Sequence, residues 1–179
     1  WTLTGVNTYT GYTNIDGGTL ALVSKGSIAN SSVGVYNTGT LDISGTTAGA
    51  AIKNLFGNGS VVLGGQKLAV SDALDANWFS GVISGTGGLV VSAGTLELTG
   101  ANTYTGGTAI DAGATLQLGN GGGPGGSIVG DVSNDGSLTF NQTTDQVYSG
   151  VISGSGSLTQ SGGRTLTLTG ASTDTGGTT

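Results

Sequence analysis

Ten carboxylates are the natural candidates for acid–base chemistry in this chain, because it holds neither histidine nor cysteine. That absence excludes a Ser-His-Asp triad, a thiol nucleophile and a Cys/His zinc centre. Paired carboxylates stay open, as in glycosidases, which set two of them about 5–5.5 Å or about 6.5–9.5 Å apart. The sequence offers Asp72 with Asp75, Asp131 with Asp135, and Glu97 with an aspartate from a neighbouring turn of chain. Asp16 and Asp111 hold matching places in a repeat, but the chain between them makes four or five turns, on the order of 20 Å. Aspartate among glycine, asparagine and serine ordinarily caps a backbone turn. No catalytic residue is therefore assigned and no enzyme is expected.

The run Gly121-Gly122-Gly123-Pro124-Gly125-Gly126 satisfies G-x-G-x-x-G, yet Ser127-Ile128-Val129-Gly130 does not start a helix, so a phosphate cradle is not expected. Regularly placed aspartates for calcium are missing from it, and neither metal nor cofactor is assigned. Tyr9 and Tyr104 occupy matching repeat positions, as do Phe79 and Tyr148. Phe79 and Tyr148 read as interior residues. Tyr9 and Tyr104 are retained as candidates for surface contact with a sugar ring or a partner, against the alternative that they pack on a turn.

Composition narrows the partners. Charged residues make up 8% of the 179 positions and the net charge is −6, where about 25% charged is ordinary. Lys25, Lys53, Lys67 and Arg164 are scattered, so nothing clusters cations for nucleic acid or an anionic membrane. No apolar run approaches the roughly 18 residues of a membrane span, so no direct membrane insertion is expected. Hydrophobic residues are 35% of the chain, enough for a buried core.

Self-comparison places these residues on repeated elements. Phe79-Ser80-Gly81-Val82-Ile83-Ser84-Gly85 returns as Tyr148-Ser149-Gly150-Val151-Ile152-Ser153-Gly154. Thr95-Leu96-Glu97-Leu98-Thr99-Gly100 returns as Thr165-Leu166-Thr167-Leu168-Thr169-Gly170. Leu98-Thr99-Gly100-Ala101-Asn102-Thr103-Tyr104-Thr105-Gly106 matches Leu3-Thr4-Gly5-Val6-Asn7-Thr8-Tyr9-Thr10-Gly11. The units run approximately 1–95, 96–165 and, in part, 166–179, within a single segment 1–179. The longer unit carries an extra stretch, about Gly45 to Asn77. A stacked array tolerates such an addition because each layer meets only its neighbours.

Within the units apolar residues alternate: Leu96 and Leu98 flank Glu97, Leu116 and Leu118 flank Gln117, Leu138 and Phe140 flank Thr139. These are short strands with one buried face. Ser71 to Trp78 is a weak helical candidate. A sandwich does not explain the repeats, and propeller blades would be of nearly constant length. A parallel β-helix of about eight or nine coils, each of about 20 residues, does explain them.

The phrase Leu-Thr-Gly-Ala-Asn-Thr-Tyr-Thr-Gly-Gly-Thr at 98–108, its continuation Ile110-Asp111-Ala112-Gly113 and Thr115 to Gly119, and the lead-in Phe79 to Leu89 resemble the passenger-associated repeat of Gram-negative autotransporters. Asp174 replaces the tyrosine in the third copy, and Tyr12 replaces the second glycine in the first. The resemblance implies an all-β, right-handed parallel β-helix, secreted by the type V route and exposed outside the outer membrane. It implies work in adhesion, self-association or as a stalk, with self-association through coil ends or lateral faces and a host or bacterial surface receptor as partners. A carbohydrate-binding or polysaccharide-degrading β-helix is the alternative.

Overall fold

A computed structural model describes residues 1–73, 78–123 and 125–179. Every regular element among them is a strand, and every strand pair is parallel. The strands form sheets of 11, 6 and 2 members. Consecutive strands of a sheet are separated in sequence by a full turn of chain, so the fold is a parallel β-solenoid of about eight coils, as the alternation and the repeats require. Two long strands, Thr13–Ser24 and Ser32–Thr46, bend round a corner and join two faces into the larger sheet, with register shifts between Ile15 and Gly17 and between Ala21 and Val23.

Inward residues stack in columns. Leu96, Leu116, Leu138 and Leu158 form one; Phe79, Leu98, Leu118 and Phe140 form the next. On the smaller sheet Val70, Val91, Ile110 and Asn134 stand in line. Nearly all are fully buried, and each aliphatic side chain withdrawn from water contributes about 1.5–3 kcal/mol. Phe79 and Tyr148 both lie in this interior.

Glycine makes the corners. A Cβ on Gly81 would stand 1.8 Å from the Gly59 carbonyl oxygen, and one on Gly100 would stand 1.9 Å from that of Gly81. Gly130, Gly150 and Gly170 form a second such column, and Gly136, Gly156 and Gly176 a third. The backbone of one coil thus rests on the carbonyls of the coil before it, where no side chain fits. Much of the glycine excess is this corner chemistry.

The extra stretch of the longer unit supplies strands Ala50–Ile52, Asn54–Gly57, Ser60–Val62 and Leu68–Val70, which together circle the rod once. The helical candidate Ser71 to Trp78 has residues 74–77 outside the described set; at its ends, Ala73 makes a parallel bridge to Gly94 and Trp78 begins a strand.

Candidate functional site

The repeated phrase forms a corner clamp between coils. Asn102 is 2% exposed. Its Oδ1 accepts from the Ile83 amide at 3.0 Å, and its Nδ2 donates to the carbonyls of Gly100 at 3.1 Å and Ser127 at 3.0 Å. One side chain therefore ties its own coil to the coils on either side. Asn7 repeats two of these bonds, donating to Gly5 and Ser27. In the third copy Ser172 stands in place of asparagine, and its Oγ accepts from the Ile152 amide at 3.2 Å. The two linked motifs are successive coils: Phe79 lies beside Leu98, and Tyr148 beside Leu168. Thr103 donates to the Ile83 carbonyl, as Thr173 does to that of Ile152.

The repeat is not fixed to one face. Thr13 pairs with Val33 and Thr178 bridges to Leu158, both on the larger sheet, whereas Thr108 pairs with Leu89 and Val132 on the smaller one. The clamp works at any corner that offers carbonyls above and below.

Tyr104 requires a correction. It is 0% exposed, so it is not a surface contact. Its hydroxyl bonds Thr108 Oγ1 at 2.6 Å inside the core, and burial pushes the phenol far above its usual range. The polar tip brought inward by the corner finds its partner four residues on. Tyr9 makes the equivalent bond to Thr13 Oγ1 at 2.8 Å and is 42% exposed. Tyr104→Phe is expected to lower stability by about 1 kcal/mol in urea titration, the net worth of one buried bond; no loss would show that Thr108 finds another partner.

Three aspartates cap the backbone of the next coil. Asp131 Oδ1 accepts from the Val151 amide at 2.8 Å, Asp135 Oδ1 from Ser155 at 3.1 Å, and Asp145 Oδ1 from Thr165 at 2.9 Å. Each joins residues 20 apart, one coil on. The Asp131–Asp135 pair is thus engaged with backbone, and Asp75 lies outside the described residues. Asp145 went unremarked in the sequence; its signal is the 20-residue interval to an amide that needs a cap. Glu97 has Trp78 and Gln117 as its strand neighbours and no aspartate at the facing positions.

Glu97 is half-buried on the outer face of the larger sheet and accepts from Gln117 Nε2 at 3.2 Å. Burial raises its carboxyl above the ordinary value, and the Asn120 side chain works in the opposite direction. An acid whose folded-state pKa is raised binds its proton longer when folded, so its contribution to stability is full at low pH and is lost as pH rises through the unfolded and folded values. Glu97→Gln is therefore expected to raise the neutral-pH melting temperature. The gap between variant and parent should close when both are melted at pH 4; a constant gap would show that charge is not the cause.

The glycine-rich run is held by the coil beyond it. Gln142 Nε2 donates to the Gly126 and Leu118 carbonyls, and Thr143 Oγ1 to that of Gly123 at 2.8 Å. These carbonyls point into the stack, which is unsuited to an anion. Among the described residues no group of three or more His, Cys, Asp or Glu side chains is placed to hold a metal.

A row of outward residues lay unmarked in the sequence. On the larger sheet Asn14, Gly34 and Phe56 are aligned, followed one coil on by Trp78, and then by Glu97, Gln117, Thr139 and Thr159. Tyr12 and Tyr36 meet Phe56 edge to face, with ring centroids 6.0 and 6.1 Å away. The alternation that turns Phe79 inward turns Trp78 outward, and this was the available signal.

Residues 1–22, 84–98, 92–118 and 158–179 match the passenger-associated-transport-repeat family. The Adhesin BmaC autotransporter of Brucella suis biovar 1 (strain 1330) is 45% identical over 160 residues, which is 88% of this chain and 4% of that protein. The chain therefore spans a small part of its relative's length. No solved structure matches it. The matched segments include the Asn102 and Ser172 corner clamps, and the similarity to the adhesin runs through most of the stack: the chain is a segment of an autotransporter passenger domain.

Proposed function

We propose that this segment serves in adhesion at the cell surface, as a rod that extends the passenger outside the outer membrane and makes contact through its lateral faces. The observation that carries this reading is the uniform stack, in which inward columns fix the rod while outward rows are free to vary. Similarity to an autotransporter adhesin supports the same role. The reading is non-enzymatic, in keeping with the engagement of Asp131 and Asp135 with backbone amides. It is tested by deleting the whole segment in frame from its passenger. Surface display should persist while attachment of cells falls; unchanged attachment with normal display would overturn it.

Self-association is the second reading. Val147 is 70% exposed, and Val129 is exposed as well, leaving apolar side chains on the outside of the later coils. Sedimentation of the chain at rising concentration should show dimers or larger species, and a monomer throughout would count against it.

A further inference from the structure

We propose that the outward row of the larger sheet, from Asn14 to Gln117, is a binding site for an extended uncharged polysaccharide. This deepens the adhesive reading by naming the ligand class. Four aromatic residues gather there. Tyr12 is 69% and Trp78 is 50% exposed, while Tyr36 and Phe56 are half-buried.

The cluster is built rather than incidental. Gly34 sits in the row between Asn14 and Phe56, and a Cβ on it would lie 2.7 Å from the Tyr36 ring and 2.8 Å from the Phe56 ring. The missing side chain lets both rings lie down over the sheet. The edge-to-face contacts then hold them, at 81° for Tyr12 and 69° for Tyr36. A platform fixed before its ligand arrives loses little freedom on binding.

Chemistry and charge select the ligand. Aromatic faces supply apolar, weakly negative surfaces suited to the C–H faces of sugar rings. Beyond Trp78 the row continues with the Glu97 carboxylate and the Gln117 amide, with Asn120 at its edge and Asn14 at the other end. Gln117 Nε2 is engaged with Glu97 and the Gly119 carbonyl, so the Gln117 oxygen and the exposed Asn14 amide are the groups that meet ligand hydroxyls. No lysine or arginine stands in the row, and Glu97 lies within it, so an anionic glycan is disfavoured. Successive positions are about 4.8 Å apart, close to one sugar residue of an extended β-linked chain, so rings and hydroxyls can be met in step.

The probe is cellohexaose, with mannohexaose as a second uncharged chain and hexagalacturonate as an anionic one. The 179-residue chain carries two tryptophans, so Trp1→Phe leaves Trp78 as the reporter. Saturable change of Trp78 fluorescence is expected with at least one uncharged hexasaccharide, and binding at least about tenfold weaker with hexagalacturonate. By calorimetry, Trp78→Ala should weaken binding about tenfold or more. Gly34→Val, which removes no ring, should weaken it by a similar factor while far-ultraviolet dichroism and melting stay near those of the parent. If Gly34→Val unfolds the chain, Tyr36→Ala with Tyr12→Ala replaces it, with the same expectation. No saturable response to either uncharged probe would overturn the assignment. So would binding indifferent to Trp78→Ala, or loss of self-association rather than glycan binding in that variant. Because the assay uses the isolated chain and pure sugars, its failure leaves the cell-attachment result standing, and the reverse holds equally.

Discussion

Replacing Gly81 by alanine is expected to destabilise the rod by roughly 3–5 kcal/mol, among the largest effects of any single methyl group in the chain. The added Cβ would lie 1.8 Å from the Gly59 carbonyl oxygen and 2.6 Å from the Phe79 ring. Neither neighbour can yield cheaply: one is backbone and the other is a packed core ring. The coils must part locally, weakening the bond from Val82 to the Gly59 carbonyl and from Thr99 to that of Phe79. Gly81 has no left-handed φ, so the effect is purely one of space. Gly5→Ala is the control, since a Cβ there meets nothing within 4 Å, and should change stability by less than about 1 kcal/mol. Urea unfolding of both variants decides the matter; equal midpoints would show that coils move apart freely.

Asn102→Ala is expected to follow at roughly 2–4 kcal/mol, because it orphans a buried amide as well as removing bonds. The Ile83 N–H faces Oδ1 within the rod and has no water to turn to. Asn102→Ser should recover part of the loss, because Ser172 serves the corresponding Ile152 amide in the third copy. The same unfolding curves test this graded order. A serine variant no better than alanine would mean that the bonds to Gly100 and Ser127 dominate.

The larger architecture was readable because it rests on alternation. Leu96 and Leu98 turn inward on either side of Glu97, and the same rule places Phe79 inside. The interval between coils was readable from the repeats, which mark where one layer lies on another. Corner side chains were not. Tyr104 sits in an irregular connection between strands, where alternation fails, and its direction depends on a bond to Thr108 that the spacing alone does not reveal. The face on which each repeat falls was equally hidden: Thr13 and Thr108 fill the same place in the phrase but join different sheets, because the phrase encodes a corner and not a side. The outward aromatic row was implicit in the same parity that identified the core, but its gathering depends on which coil lies beside which. Gly34 acquires meaning only when Tyr36 and Phe56 are seen folding over it.

Bonds between coils run along the rod, so a pull on its two ends loads them in series. Mechanical work is then taken up layer by layer, with a released coil of about 20 residues lengthening the tether by roughly 70 Å at about 3.5 Å per residue. A rod pulled in this way would meet a sudden tug with a train of small yields instead of one break, and slack would let the layers wind back onto those still standing.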